Sequence, residues 1–173
     1  MKITIVTLSL LLCTHSVLAA DFRAANFGDS CEGIQNREIS LGSTPDGPGK
    51  EKYRGVFLDR EVEILYRCNE KNQLIGGSYI YTYNNLAEAI AFFNIAKPQL
   101  LEEFGEPKLD SSSEAYKKMT KILSSRGVES DKDEYNLFWE HDRVSITCFV
   151  IKPSKYSVNA TVAITYGPIG KKP

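Results

Sequence analysis

The stretch EVEILYRCNEKNQLIGGSYIYTY, residues 61–83, decides the fold. Its first eight residues place an apolar side chain at every second position from Val62 to Cys68, which predicts a strand with one buried face. The polar segment 69–72 then turns the chain, and Leu74–Tyr83 forms a longer strand. Two such strands joined by a short turn are typical of an antiparallel sheet with one side open to water.

Further strands are predicted on both sides of this hairpin. The run Tyr53–Leu58 precedes it and is joined to it by a tight turn at 59–60. Toward the C-terminus, the runs Glu134–Glu140, Arg143–Ile151 and Tyr156–Tyr166 have the same period, and the last of them alternates most strictly. Polar turns separate neighbouring runs, so we expect two three-stranded meanders and a sheet of about six strands.

The clearest helix follows the first meander. Asn85 and Glu88 form a capping-box pattern at its start, and Gly105 followed by Pro107 marks its end. Pro98 should kink this helix, because proline lacks an N–H and crowds the preceding turn. The predicted apolar stripe consists of Leu86, Ile90, Phe93, Leu100 and Phe104.

Two shorter helices complete the pattern. Asp29 or Ser30 can cap a helix that runs to about Arg37, and another helix is predicted from about Ser112 to Ser125. The resulting order, α-βββ-α-α-βββ, indicates a two-layer α+β domain with an antiparallel sheet and helices on one face.

The order of elements also suggests a tandem repeat. Residues 27–30 read FGDS and residues 104–107 read FGEP. Each of these segments precedes a predicted helix and then three predicted strands, so the two halves of the chain would share one architecture.

Composition limits the class of protein. The chain has 173 residues and a formal net charge of −1, with 42% hydrophobic and 25% charged residues, which is ordinary for a globular protein. These values exclude a disordered chain and a polytopic membrane protein. The near-neutral charge argues against nucleic-acid binding, which requires a basic stripe to replace phosphate counterions.

The first nineteen residues have the pattern of a bacterial export signal. Lys2 is followed by the largely apolar run 3–12, and Val17 and Ala19 place small residues at positions −3 and −1 of a signal-peptidase site. The apolar run is shorter than the roughly 20 residues that a membrane span needs. We therefore predict a signal peptide at 1–19, a single α+β domain at 20–173 and a periplasmic or secreted product with no membrane anchor.

Several segments resemble small bacterial envelope modules. Residues 27–34 (FGDSCEGI) and 41–45 (LGSTP) resemble an opening shared by outer-membrane-assembly small lipoproteins and tandem β-lactamase-inhibitor-like proteins. Cys31, the run 66–68 (YRC) and residues 101–107 (LEEFGEP) also look like uncharacterised secreted proteobacterial α+β domains. The resemblance covers about half of the chain and rests on caps, stops and a cysteine pair, so it implies no particular ligand-binding residue.

Three cysteines remain after signal removal, namely Cys31, Cys68 and Cys148. In an oxidising compartment we expect one disulfide and one leftover thiol. Cys31 lies on the first predicted helix, and Cys68 ends a strand on the face against which that helix should pack. This placement and the resemblance together favour a Cys31–Cys68 bridge, with Cys68–Cys148 across the sheet as the alternative. In the favoured pairing, Cys148 is an inert buried thiol.

The sequence contains no pattern that indicates catalysis. A Cys148 nucleophile would need His141 as its base, yet a separation of seven residues along a strand would put the two on opposite faces. Glu140, His141 and Asp142 are consecutive at a predicted hairpin turn, so they cannot all converge on one metal ion. We therefore predict a non-enzymatic protein with no catalytic residues, no metal and no cofactor.

Aromatic side chains are the remaining candidates for a binding surface. Tyr79, Tyr81 and Tyr83 alternate on one face of a strand, where they would either form an interface or fill the core. Phe138 and Phe149 fall opposite the apolar faces of their strands, and such a pair on the open side of the sheet would mark a binding surface.

The function that these patterns predict is that of a protein-binding module of the bacterial envelope, either an inhibitor or an assembly factor. It would contact another envelope or secreted protein through the open sheet face or the turn-rich loop 43–52. The alternative is a periplasmic small-ligand carrier, with a pocket between helices and sheet lined by Gly76, Gly77 and the tyrosine row.

Overall fold

The structure is a computed structural model, and it describes residues 20–23, 25–49, 51–110, 135–153 and 158–169. The predicted signal peptide and the helix predicted at Ser112–Ser125 lie outside these residues. Within the described ranges, no helix has the length and apolar character needed to span a membrane.

The described residues form one antiparallel sheet of eight strands, in the spatial order β1-β2-β3-β4-β8-β7-β6-β5. The prediction of about six strands was too low, because two strands of only two residues pair with the outer edges of the meanders. The strands are β1 (Thr44–Pro45), β2 (Lys52–Phe57), β3 (Arg60–Cys68), β4 (Leu74–Tyr83), β5 (Leu109–Asp110), β6 (Asn136–His141), β7 (Val144–Ile151) and β8 (Ala160–Pro168).

The last strand starts later than its alternation predicted. Val158 is 81% exposed and lies before β8, which begins at Ala160. The apolar–polar alternation of the sequence begins before the residues that pair with another strand. Pairing of β8 with β4 begins at Ala160, and pairing with β7 begins at Thr161.

Two helices are described. A 3-10 turn at Cys31–Gly33 leads into α1 (Ile34–Ser40), and the Ser30 side chain accepts a hydrogen bond from the Glu32 N–H at the start of the turn. The long helix α2 spans Leu86–Phe104 and continues through Pro98.

The predicted ends of α2 are confirmed. The Asn85 side chain accepts from the Glu88 N–H at 2.9 Å and donates to the Glu88 carboxylate at 2.8 Å. At the other end, Gly105 has φ of +75°, a backbone conformation that glycine adopts without a Cβ clash.

The buried face of α2 differs from the predicted stripe. It consists of Ala89, Phe92, Phe93, Ala96 and Leu100, whereas Leu86, Ile90 and Phe104 are only half-buried. The predicted stripe omitted Phe92 and both alanines, and Ala89 and Ala96 have no exposed surface against the sheet. Small residues there allow the helix backbone to lie close to the sheet.

Both helices lie on one face of the sheet, so the two-layer α+β architecture is confirmed. α2 packs against β4, β7 and β8, and α1 contacts the same face through Glu38, which accepts a hydrogen bond from Tyr66 of β3. We call this the inner face and the opposite one the outer face. The core side chains of the inner face include Ile64, Tyr79, Tyr81, Trp139, Ile146, Cys148, Val162, Ile164 and Tyr166.

The sheet is arranged symmetrically about its middle. The meanders β2-β3-β4 and β6-β7-β8 meet at the antiparallel pair β4–β8, and a two-residue strand flanks each meander at the outer edge. The described residues therefore contain the two three-stranded units that a repeat would need, while a common origin of the halves stays a prediction.

Candidate functional site

The residues that follow the predicted signal peptide are built into the core. Phe22 is 1% exposed, and its ring lies 5.1 Å from the rings of Tyr66 and Tyr79 and 5.2 Å from that of Tyr166. Beneath the ring lies Gly77, where an added Cβ would fall 2.0 Å from a Phe22 ring carbon. The Phe22 ring therefore packs directly on the backbone of β4 at Gly77.

Asp21 fixes this N-terminal segment to the β6–β7 hairpin. Its carboxylate accepts from the Arg143 Nε at 2.7 Å and from the Phe27 backbone N–H at 2.7 Å. Arg143 also donates to the Asn26 side chain at 2.9 Å. Because the Asp21 side chain is only 3% exposed, these bonds compensate for the removal of its charge from water.

The N-terminal segment forms one wall of an open cleft of about 840 Å³, which we call the end cleft. Three other parts of the chain complete it: the C-terminal turn of α2, the β6–β7 hairpin and the neighbouring ends of sheet strands. The lining residues are Ala20, Asp21, Phe22, Arg23, Phe57, Tyr79, Glu103, Phe104, His141, Asp142, Arg143, Val144, Ile146 and Tyr166.

Aromatic rings dominate the floor and one side of the end cleft. Phe57 and Tyr79 are stacked, with ring centroids 3.9 Å apart. The Phe104 ring lies 6.4 Å from that of Tyr166 and 6.1 Å from that of His141. The cleft thus offers both ring faces and ring edges to an apolar body.

Both arginines of the end cleft are already paired with carboxylates. Arg143 binds Asp21, and the Arg23 Nε donates to Glu38 at 2.7 Å. The Arg23 guanidinium also lies 5.9 Å from the centre of the Tyr79 ring. Hydrogen bonding to Glu38 and its charge outweigh the effect of burial and raise the pKa of Arg23.

Glu38 is the centre of a buried polar network below the cleft. Its side chain has no exposed surface, and one carboxylate oxygen accepts from both Arg23 and the Tyr66 hydroxyl. Burial and the hydrogen bond to Glu38 raise the pKa of Tyr66 well above its usual value, so this hydroxyl stays a donor. The network joins α1, β3 and the N-terminal segment, which positions Arg23 at the cleft wall.

Glu103 lines the end cleft without an ion-pair partner in the described part of the chain, whereas Asp21 is paired with Arg143 and Asp142 lies beside His141. Partial burial raises the pKa of the Glu103 carboxyl, and His141 opposes this effect. Glu103 lines the same cleft as Tyr79 and Tyr166. Among the described residues, no lysine or arginine forms an ion pair with Glu103.

The three tyrosines of the predicted row occupy different environments. Tyr79 and Tyr81 are 5% and 3% exposed, and Tyr83 is half-buried. The Tyr81 hydroxyl donates to the Phe57 carbonyl at 2.9 Å, and its ring packs on Phe92 of α2. Filling of the core therefore accounts for Tyr81, whereas Tyr79 also contributes to the end cleft.

Phe138 and Phe149 lie on the outer face, away from the end cleft. Both are half-buried, and the strand registers pair Phe138 with Thr147 and Phe149 with Ala163. Ala163 is paired in turn with Ile80, so an apolar row crosses three strands of the outer face.

The loop 43–52 lies at the edge of the sheet that β1 and β2 form. Asp46 is within 3.5 Å of the Lys52 ammonium and 3.3 Å of the Arg54 guanidinium, and Lys52 also pairs with Glu63 at 2.6 Å. These ion pairs hold the loop against β2 and β3 and do not involve the end cleft.

The predicted disulfide is confirmed, since Cys31 is bonded to Cys68. Cys148 is free and has no exposed surface. Burial raises the pKa of its thiol to about 12, which disfavours the reactive thiolate.

We expect Cys148 to be unreactive in the native mature protein. At mildly alkaline pH a water-soluble disulfide reagent should label no thiol in the folded protein, and one thiol per chain after unfolding without reductant. Rapid labelling of the native protein would contradict the burial of Cys148. Three reactive thiols after unfolding would contradict the disulfide.

The argument that strand parity separates His141 from Cys148 was wrong. The hairpin turn at 142–143 resets the alternation, and His141 pairs with Val144, so both His141 and Cys148 point to the inner face. They remain apart because Cys148 lies four positions along β7 from Val144, which is about 13 Å of strand. His141 is 57% exposed at the cleft mouth, whereas Cys148 is fully enclosed.

The polar residues of this hairpin point in different directions. Glu140 pairs with Lys108, while the His141 imidazole lies 3.6 Å from the Asp142 carboxylate. Across the described part of the chain, no group of three or more His, Cys, Asp or Glu side chains is arranged to hold a metal ion.

The sequence analysis missed Phe22, Arg23, Glu103 and Phe104 as cleft residues. The one signal in the sequence that bears on Phe22 is Gly77, where the absence of a Cβ leaves room for the ring. No family model, curated protein or solved structure matches the chain, so comparison with known proteins does not identify functional residues.

Proposed function

We propose that this chain is an exported, non-enzymatic binding protein that takes a small ligand into the end cleft. The observation that supports this most directly is the cleft itself. Its volume of about 840 Å³ lies within the range of small-molecule sites. Apolar and aromatic side chains with a few polar groups at the rim are also the usual composition of such sites.

Export is supported by two independent features. The N-terminal pattern predicts a signal peptide, and the Cys31–Cys68 disulfide fits an oxidising export compartment. Cleavage after Ala19 would leave Ala20 as the first residue, at the edge of the end cleft. We therefore assign the protein to the periplasm or the medium.

The positions of Cys148, the candidate nucleophile, and His141, its candidate base, favour a binding role over catalysis. Cys148 is enclosed in the core with a raised pKa, and His141 lies at the cleft mouth. A nucleophile needs a base within hydrogen-bond reach and access to substrate, and this pair meets neither requirement.

The test is ligand capture by the mature protein and by two tryptophan variants. His141→Trp should fill the cleft mouth, since His141 is exposed there beside Phe104. Glu140→Trp is the matched control, because the adjacent position points to the outer face. Each protein is incubated with a metabolite and lipid extract of its host, re-purified and analysed by mass spectrometry.

We expect a compound that co-purifies with the wild type and with Glu140→Trp but is lost from His141→Trp. Loss from both variants would place the ligand elsewhere or reflect damage to the hairpin, and circular dichroism and thermal melting distinguish these cases. Absence of any captured compound from the wild type would contradict the proposed function.

A protein partner on the outer face is the second candidate function. The specific observation is the apolar row of Phe149, Ala163 and Ile80, with Ile151 exposed to 48% beside it. In a crosslinking experiment in the host envelope, Phe149→Ser should release such a partner while His141→Trp retains it. The opposite pattern would assign the partner to the end cleft.

A further inference from the structure

The charges of the end cleft are unevenly distributed, and this distribution suggests the kind of ligand that it takes. Cleavage after Ala19 would add the α-ammonium group of Ala20 at the edge formed by the N-terminal segment, whereas the end of α2 carries the Glu103 carboxylate. The two arginines of the end cleft pair with Asp21 and Glu38 through their Nε atoms, while an Nη2 donor of Arg143 binds Asn26 and that of Arg23 binds Ser43. Asp142 has His141 within 3.6 Å. Asp142 and Glu103 both lack a lysine or arginine partner among the described residues, and Glu103 is the one that lies next to Phe104 at the end of α2.

The surroundings of Glu103 are aromatic. Phe57, Tyr79, Phe104 and Tyr166 line the same cleft, and their ring faces carry partial negative charge. A cation beside such rings is attracted by their quadrupoles, and the attraction grows when water is excluded. An anion placed beside Glu103 would meet the same rings and the carboxylate, both of which disfavour negative charge at that end of the cleft.

We propose that the end cleft selects a small organic cation, in which an alkylated ammonium group lies between Glu103 and the aromatic rings. An apolar or aromatic body attached to that group would fill the rest of the cleft. This proposal rests on the function proposed above, because it specifies the ligand of the same site.

The dimensions favour a whole small molecule over a single side chain of a partner protein. A volume of about 840 Å³ is several times larger than one lysine side chain occupies, and drug-sized ligands fill sites of this size.

A bound cation should also act on the titration of Glu103. Partial burial raises the pKa of this carboxyl, because the charged form is poorly solvated, and His141 of the β6–β7 hairpin opposes this effect. A positive charge within a few ångströms favours the ionised form, so ligand binding should lower this pKa. The carbon chemical shift of the Glu103 carboxyl, followed by NMR during a pH titration, reports the change.

The experiment uses three probes of similar shape on the mature protein with its disulfide intact. Benzyltrimethylammonium is the cation, neopentylbenzene is its neutral isostere, and benzyl phosphonate is the anion. Binding is measured by NMR titration and calorimetry for the wild type, Glu103→Gln, Phe104→Leu and Glu102→Gln. Glu102 is the matched control, because it is the adjacent exposed acid of α2 and does not line the cleft.

We expect the cation to bind with dissociation constants in the millimolar range or below and to shift the NMR signals of Tyr79, Phe104 and Tyr166. Glu103→Gln should weaken cation binding by about fivefold, the effect of removing one partly solvated charge pair. Phe104→Leu should weaken it by a similar factor of about three to ten, since the ring is lost while the apolar volume remains. Glu102→Gln should leave the affinity unchanged.

Three results would overturn the proposal. These are equal or tighter binding of the neutral isostere in the cleft, tighter binding of the anion, and no binding of the cation at millimolar concentration. The first two leave the function of the end cleft intact and reject only its charge preference. If no probe binds and the capture experiment also yields no compound, the proposed function itself fails.

Discussion

Replacing Phe22 with alanine is expected to lower the free energy of unfolding of the mature protein by about 4 kcal/mol, as for other large buried rings. Phe22 is 1% exposed and contacts the rings of Tyr66, Tyr79 and Tyr166, so its removal leaves a cavity that three rigid rings cannot fill by small shifts. Urea unfolding followed by the fluorescence of Trp139, the single tryptophan, measures the change.

A double-mutant cycle with Gly77 tests whether the ring lies where the structure has it. Gly77→Ala in the wild type should cost about 2 kcal/mol or more, because the new Cβ would fall 2.0 Å from a Phe22 ring carbon. In the Phe22→Ala background the same substitution should cost less than about 1 kcal/mol, since the obstructing ring is gone.

Gly49→Ala is the control for this cycle. No atom lies within 4 Å of the position that its Cβ would take, so it should be neutral in both backgrounds. Equal costs of Gly77→Ala with and without Phe22 would contradict the packing of the N-terminal segment on β4. This result would also mean that the N-terminal segment does not form a wall of the end cleft.

The second large effect concerns the disulfide. Replacing Cys31 and Cys68 together with serine should lower the free energy of unfolding by about 4 kcal/mol, because the bridge closes a loop of 37 residues in the unfolded chain. The unfolded state without the bridge gains conformational freedom that the native state lacks. The same urea titration, in the absence of reductant, measures the loss.

Cys148→Ala separates loss of the bridge from loss of a buried cysteine. This variant should be destabilised by a smaller amount, about 1 kcal/mol, through the cavity alone. Added dithiothreitol should still lower its urea midpoint, as it lowers that of the wild type, while the double serine variant should not respond. A dithiothreitol response in the double serine variant would show that another disulfide contributes.

The regular elements could be predicted because their causes are local. Alternation from Val62 to Cys68 and the paired signals at Asn85 and Gly105 depend on neighbours in sequence, and the structure confirms these elements. The buried stripe of α2 could not be predicted in the same way. Which helix face approaches a sheet depends on the distance between the two backbones, and Ala89 and Ala96 fit that distance where larger residues do not.

The position of His141 shows a similar limit. Counting odd and even positions tells which face a side chain is on only while the chain stays in one extended strand. The two-residue turn at 142–143 pairs His141 with Val144, so residues before and after the turn cannot be counted as one strand. The sequence identified His141 and Cys148 correctly as hairpin and core residues, but their shared face follows from the register of β6 and β7.

By itself, the sequence determined the antiparallel sheet and the long capped helix, since both rest on local periodicity and caps. It favoured the Cys31–Cys68 pair but left Cys68–Cys148 open, and the structure decided between them. Only the tertiary structure decided the end cleft, because Phe22, Glu103, His141 and Tyr166 are far apart in the chain and no spacing relates them. The N-terminal segment enters the core through contacts with residues more than forty positions away. Long-range packing and the pairing of Asp21 with Arg143 place it there, and neither leaves a local pattern in the sequence.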